Sequence, residues 1–363
     1  MIPAAVLAML LLLAARPVRS FSGGPAPRRW LSRTPLRMAP EGPEVSCLVD
    51  SLEERFGGDR YELQAVRFVS GRYANQSLAS TQKAADGFGD LQLQLPLPLK
   101  SVNCKGKFIW FDLGRGQSLW STLGLTGSWR FDRALESAKH VRTVLQLAPQ
   151  GGGQPHELFY SDMRNFGTLK ACASEEELAA KLRSLGSDWL ADPPPPFVDF
   201  LAAARAPRFR ASYMASWLMD QRRFCGVGNY ILSEALYRAE LYPFARLGDL
   251  SDRQLQRLHR AVLFVSHHSR ASQAAGSRLP ARYDPGQEAG AGLDGFEAEA
   301  LDLRRHFSAY VGARGGFRFA VYAQRQCPMG LCVVRERGPH GRSLHWVAEL
   351  QTGGRAEAQA DAS

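Results

Sequence analysis

Four consecutive prolines, Pro193, Pro194, Pro195 and Pro196, constrain this chain more than any other feature. Proline lacks a backbone N–H and fixes φ, so the run can continue neither a helix nor a central strand. It separates two halves of different character. Before it, residues 40–170 alternate short apolar runs with turns, at 63–70, 106–113, 118–123 and 141–147, each of strand length and rich in branched or aromatic side chains. The exception is 44–56, where Val45, Leu48, Val49, Leu52 and Phe56 recur at helical spacing and predict an amphipathic helix. After the prolines, which read as a linker, residues 197–268 predict several helices. A Gly- and Ala-rich stretch at 276–295 shows little periodicity and reads as a surface insertion. Residues 318–351 return to strand-like alternation around a turn at 338–341, as a β-hairpin would, and the Ala-rich tail after Gly353 is expected to be disordered. No internal repeat is evident.

With 363 residues, 45% of them hydrophobic, the chain can bury a sizeable core, and wholesale disorder is excluded. Its 45 Lys and Arg exceed 35 Asp and Glu by 10 charges, which suggests a polyanionic partner. Six of the arginines, and no acid, lie before Pro40, leaving 39 basic against 35 acidic residues and an excess of only 4. Any nucleic-acid reading must therefore rest on local arrangement. Six scattered cysteines, Cys47, Cys104, Cys172, Cys225, Cys327 and Cys332, are too sparse for a disulfide scaffold and read as mostly reduced. The closest pair, Cys327 and Cys332, misses the two-residue spacing of a zinc knuckle.

Residues 1–39 read as an address. An apolar run at 4–15 has the length of a signal-peptide core and falls short of the roughly 20 residues needed to span a bilayer. The Arg-, Ser- and Pro-rich stretch that follows, opening on Phe21, has the composition of a transit peptide. Together they are similar to the two-part leader of proteins sent to the plastid of a complex alga, with a single mitochondrial or secretory leader as the alternative. No stable membrane association is expected once the leader is removed.

Directly after it stands Pro40-Glu41-Gly42-Pro43-Glu44. Processing before Pro40 would expose a secondary amine beside a carboxylate. An α-amino group titrates near pH ~8, so it is a nucleophile at neutral pH to an extent that lysine is not. Attack by such an amine on a sugar C1′ displaces the base and leaves an iminium, and Glu41 could move the protons that open the ring. An ordinary proline-rich turn before a helix, with Glu41 and Glu44 favouring its positive end, accounts for the same five residues. A second motif, Phe224-Cys225-Gly226-Val227-Gly228-Asn229-Tyr230, is a glycine-flanked turn opening onto a helix. Its backbone N–H groups and the Asn229 amide could hold a phosphate, although such glycines also serve packing.

With these motifs in order, the chain resembles the formamidopyrimidine-DNA glycosylase and endonuclease VIII family over residues 40–351. The likeness rests on the Pro-Glu-Gly-Pro-Glu start, Lys107 in Cys-Lys-Gly-Lys-Phe, Gly124-Leu125-Thr126-Gly127-Ser128, Asp162-Met163-Arg164-Asn165-Phe166-Gly167, the stretch 218–237, and Val321-Tyr322 before the final hairpin. The resemblance implies an α+β fold. A two-layer β-sandwich with a flanking helix would occupy 40–190, a helical helix-two-turn-helix domain 197–315 and a hairpin finger 316–352, with 353–363 as a tail.

The implied activity is a bifunctional DNA glycosylase and lyase that removes oxidised bases, formamidopyrimidine and 8-oxoguanine, and then cuts the strand by β- and δ-elimination. Preference for oxidised pyrimidines, or silent binding of damaged DNA, are the alternatives. The partner is damaged double-stranded DNA, bound by a monomer. By resemblance Pro40 is the nucleophile, Glu41 the general acid and base, Glu44 a support for the start, and Lys107, Asn229 and Arg342 are phosphate ligands. Leu125, Arg164 and Phe166 would fill the gap left by an extruded nucleotide.

The chain departs from the family pattern at Leu125, where Met is more frequent, at Thr122 for a histidine and at Asn165 for an arginine. In the finger only Cys327 of four usual zinc ligands is matched, the other positions being Gly330, Val347 and Leu350. The expectation is a zincless finger and no cofactor. A metal held by Cys327, Cys332 and His340 or His345 is the alternative.

Overall fold

The computed structural model describes residues 39–74, 87–131, 138–273 and 317–355. Residues 1–38 of the expected leader, the insertion at 276–295 and residues 356–363 of the expected tail lie outside the described residues. No helix among the described residues is long and apolar enough to cross a membrane.

Helix α1 (Gly42–Phe56) has Pro43 in its first turn and buries Val45, Val49, Leu52 and Phe56, one face of the expected amphipathic pattern. Arg60 closes its C-terminal end, its guanidinium donating to the carbonyls of Glu53, Glu54 and Gly57 at 2.5–3.2 Å. Two antiparallel sheets follow. The first contains β1 (Tyr61–Phe68), β2 (Leu97–Leu99), β6 (Gly127–Arg130), β7 (Val141–Pro149) and β8 (His156–Asp162), in the order β2-β1-β7-β8-β6. The second runs β3 (Ser101–Lys105), β4 (Phe108–Asp112), β5 (Ser118–Thr122) and β9 (Thr168–Cys172) in sequence. A short helix α2 (Phe88–Gln94) precedes β2.

The sheets close on one apolar core. Leu63, Val66, Trp129, Leu145, Leu158 and Tyr160 from one face Val102, Ile109, Phe111, Leu119 and Leu169 from the other, with α1 contributing Leu52 and Phe56. This is the two-layer sandwich the family resemblance implies, built from the strands the alternating runs predict. Trp129 is fully buried, meets Phe111 edge-on at 5.1 Å between ring centroids, and donates its indole N–H to Ser121 at 3.0 Å. Trp129→Ala is expected to cost about 3–5 kcal/mol through cavity formation, read as a lower urea midpoint at unchanged m-value.

Beyond the sandwich come α3 (Glu175–Ser184), β10 (Ser187–Asp188), α4 (Phe197–Arg205), α5 (Met214–Leu218), β11 (Phe224–Cys225), α6 (Asn229–Arg238) and α7 (Asp252–Gln273). The four prolines do not dangle between the halves. Trp189, on their N-terminal side, is buried in the helical core with Phe200, Phe224 and Leu258, and His259 bonds the Pro195 carbonyl at 2.8 Å. Parallel pairing of β10 with β11 ties the segment before the prolines to the turn that opens α6. α1 also packs on α7, where Arg270 meets Asp50 at 2.9 Å and the Cys47 thiol donates to the Arg270 carbonyl.

The finger corrects the sequence reading in extent. Only β12 (Val334–Arg337) and β13 (Ser343–Trp346) pair as strands. The stretch before them is turn, because three consecutive backbone N–H groups, of Ala320, Val321 and Tyr322, converge on the buried Glu234 carboxylate at 2.9–3.1 Å. Gly353, placed by composition at the start of a disordered tail, is instead ordered. Its N–H donates to Glu240, and its carbonyl accepts from Tyr242 at 2.9 Å.

Candidate active site

The site is built where the start of α1 meets the start of α6. Gly226 adopts φ +104°, a region that favours glycine, and its carbonyl accepts the N–H of Gly42 at 2.9 Å. A Cβ on Gly42 would stand 3.2 Å from the Gly226 Cα, and one on Gly228 only 2.2 Å from the Glu41 carboxyl carbon. The glycines thus let two backbones and one side chain share the space.

Glu41 fills it. Its carboxylate accepts the N–H of Tyr230 at 2.8 Å and of Ile231 at 3.2 Å, and the residue is 2% exposed. The expectation that this helix start holds a phosphate is therefore corrected: the two N–H groups are taken by the chain's own carboxylate. Burial pushes the Glu41 carboxyl up to about 7, opposed by Lys107 and by the two helix N–H groups, and reinforced by Glu44. A carboxyl poised there can both give and take a proton at neutral pH.

Glu44 lies one turn on. It accepts the Glu41 backbone N–H at 3.0 Å, the Tyr230 hydroxyl at 3.2 Å and the Gln273 amide at 2.5 Å. Burial raises its carboxyl as well, against those hydrogen bonds. Through the Glu41 N–H it fixes the peptide that follows the half-buried Pro40.

The two lysines of Cys-Lys-Gly-Lys-Phe separate cleanly. Lys105 donates to the Leu182 and Leu185 carbonyls at the end of α3, a C-cap. Lys107 follows the β3–β4 turn at Gly106, where φ is +58° and a Cβ would meet Cys225 at 2.7 Å. It faces Glu41 and Arg342, and burial lowers its ammonium below the usual lysine range while Glu41 holds it up. Asn229, first residue of α6, donates to the Ser343 carbonyl at 2.7 Å and accepts from His340 at 3.0 Å. Arg342 is exposed on the hairpin turn beside it. Pro40, Glu41, Glu44, Lys107, Asn229 and Arg342 are thus gathered around one helix end.

Leu125, Arg164 and Phe166 belong to a second group, on two loops sewn together by Asp162. That buried carboxylate accepts the Thr126 hydroxyl at 2.5 Å, the Arg164 N–H at 3.2 Å and the Gly167 N–H at 2.8 Å. A Cβ on Gly124 would stand 2.6 Å from the Gly167 nitrogen, so the loops touch backbone to backbone. Arg164 is exposed and Phe166 is 59% exposed, an unusual position for a large apolar ring, while Leu125 is half-buried. Two of the residues at which the chain departs from the family pattern have structural roles: Thr122 bonds Thr168 at 2.6 Å across the sheet, and Asn165 takes φ +57°, which asparagine tolerates.

Residues 39–169 match the model of the formamidopyrimidine-DNA glycosylase N-terminal domain. The formamidopyrimidine-DNA glycosylase of Gloeobacter violaceus is 32% identical over 247 residues, 65% of this chain and 78% of the relative. The chain belongs to the formamidopyrimidine-DNA glycosylase family. It is a DNA glycosylase of base excision repair. The Thermus thermophilus enzyme is 29% identical over 318 residues, 86% of this chain and 98% of the relative. A solved Lactococcus lactis family structure, a complex with Fapy-dG-containing DNA, shares the fold at a TM-score of 0.62 and 18% identity, over 86% of this chain and 99% of that one.

In many members of this glycosylase family the finger binds zinc, but the residues here do not fit the metal. Cys327 and Val347 are buried together with Val321 and Val333, and Leu350 packs against them, so the site is apolar. Each of the two turns is closed by its own backbone bond, Gly330 N–H to the Cys327 carbonyl at 2.9 Å and Gln351 N–H to the Val347 carbonyl at 3.0 Å. Cys332 is exposed and His340 is engaged by Asn229; among the described residues no three His, Cys, Asp or Glu side chains form a ligand set. Sequence reasoning missed Tyr230 and Gln273, which hold Glu44, and Asp162, which joins the loops. Asp162 carried a signal, an acid inside a quoted motif. Nothing local to Tyr230 marks Glu44 as its partner, 186 positions away.

Proposed function

We propose that this glycosylase is bifunctional and acts through a Schiff base on Pro40. The observation that carries the reading is Glu41, buried on the N–H groups of α6, facing Lys107 and covalently next to Pro40. Cleavage after Ala39 frees the Pro40 nitrogen. Its lone pair attacks C1′ of an extruded nucleotide, the C1′–N bond to the base breaks, the departing base takes the proton of the proline nitrogen, and Glu41 protonates the ring oxygen as the sugar opens to an iminium. Glu41, ionised by that transfer, takes the C2′ proton, the iminium accepts the electrons of that bond and the 3′ phosphate leaves by β-elimination; loss of the C4′ proton to the same carboxylate, once it has shed the first to solvent, expels the 5′ phosphate by δ-elimination. Lys107, Asn229 and Arg342 hold phosphates around the sugar, while Leu125, Arg164 and Phe166 occupy the vacated stack and Arg164 reads the opposite base.

The substrates are oxidised bases in double-stranded DNA, formamidopyrimidine and 8-oxoguanine first. Solved relatives in complexes with Fapy-dG, carbocyclic 8-oxo-G and oxidised-pyrimidine DNA support this class. The protein works as a monomer with a zincless finger and no cofactor, after a leader at 1–39 has taken it to a plastid. Borohydride reduction on an abasic duplex tests the chemistry. A chain beginning at Pro40 yields a covalent protein–DNA adduct; absence of adduct identifies a silent binder instead.

Salt dependence tests the ligands. Each phosphate neutralised contributes about −0.9 to the slope of log affinity against log salt. Lys107→Ala is expected to make that slope shallower by about one, measured by fluorescence anisotropy on an abasic-analogue duplex.

A further inference from the structure

The hairpin turn contains a histidine that the mechanism above does not use. His340 sits between Gly338 and Arg342, with its Nε2 3.0 Å from the Asn229 Oδ1. The Asn229 Nδ2 donates to the Ser343 carbonyl at 2.7 Å. A carbonyl can only accept, so the amide nitrogen must face Ser343 and the amide oxygen must face His340. His340 is therefore the donor, in the Nε2–H tautomer. Its Nδ1, buried and without a hydrogen-bond partner, is then the bare nitrogen, which costs less to leave unpaired than an N–H.

The turn is shaped for this ring. A Cβ on Gly338 would stand 2.6 Å from the His340 Cε1 and equally close to Leu344, so any side chain at 338 would expel the imidazole. Gly341 takes φ +79° to close the turn, and the Gly338 N–H donates to the Arg342 carbonyl at 2.8 Å. The backbone that carries Arg342 is thus bonded to the residue over which His340 folds.

We infer that His340 is a positioning residue, bolting the hairpin turn to Asn229 so that Asn229 and Arg342 meet the DNA backbone as one rigid phosphate clamp. The inference rests on the reading of those two residues as phosphate ligands. Holding two ligands in register before binding removes an ordering cost that a loose hairpin would bear at the moment of contact. His340 needs no contact with DNA for this effect.

The test is a double-mutant cycle on the full processed chain beginning at Pro40, with a duplex bearing one reduced abasic site as the probe. His340→Ala alone is expected to weaken binding about fivefold, the scale of one net hydrogen bond, with the thermal midpoint unchanged. In the Asn229→Ala background the same substitution is expected to have no further effect, because the bond it breaks is already gone. His340→Gln, which can offer an amide N–H in the same direction, should recover part of the affinity. Full additivity of His340→Ala and Asn229→Ala would overturn the inference while leaving the phosphate-ligand reading intact. Unchanged affinity in Asn229→Ala alone would defeat that reading, and the inference with it.

Discussion

Leaving one alanine, Ala39, in front of Pro40 is expected to abolish cleavage of abasic DNA, with a loss of at least about 10³-fold in single-turnover rate. In that form the proline nitrogen is an amide whose lone pair is delocalised into the carbonyl, and no amount of positioning makes it a nucleophile. Binding should survive. Lys107, Asn229, Arg342 and the loops joined by Asp162 do not depend on a free terminus, so affinity for an abasic-analogue duplex is expected to stay within a few-fold of the processed form. Loss of cleavage with retention of binding separates chemistry from recognition. A chain that cleaves at full rate with Ala39 in place, verified by mass, would show that another group is the nucleophile.

Replacing Glu41 by glutamine is expected to slow base excision by about 10²–10⁴-fold, the range for removing a general acid. The shape of the pH profile is the more telling result. Burial raises the Glu41 carboxyl to about 7, so its proton is present below that pH and is lost as pH rises through it. The proline amine has the opposite requirement and becomes available as pH approaches its ordinary value near ~8. The single-turnover rate of the wild-type chain should therefore rise with pH on the amine, fall on Glu41 above about 7, and pass through a maximum between the two. Glu41→Gln removes the alkaline fall and leaves the residual rate rising monotonically. An alkaline limb that persists in Glu41→Gln would assign it to some other acid.

The sandwich was legible because its strands carry regular signals. Runs such as that of β4 and β5 are apolar, branched and bounded by glycine turns, and α1 shows its buried face as Val45, Val49, Leu52 and Phe56. The pairs formed by short elements were not. β10 and β11 have two residues each and are defined by a partner some 37 positions away, as Ser187 opposite Phe224, with no local pattern to mark them. The finger was over-read because alternation in 318–333 also suits a chain whose N–H groups turn inward onto Glu234.

In the site, residue types were legible and pairings were not. That Glu41 is an acid next to an exposable amine follows from adjacency. That its carboxylate occupies the start of α6 depends on Tyr230, 189 residues away, and on the missing side chain of Gly228. A glycine turn before a helix advertises an anion site; it cannot say that the anion is the chain's own. The same limit applied to Lys105 and Lys107. They differ by two positions, and only the fold sends one to the α3 carbonyls and the other to Glu41.

The most direct measurement is the site of the covalent bond. After borohydride trapping on an abasic duplex and proteolysis, the DNA-linked peptide is expected to begin at Pro40 and to carry its adduct on the Pro40 nitrogen. An adduct mapped to Lys107, or to any other amine of the chain, would contradict the account.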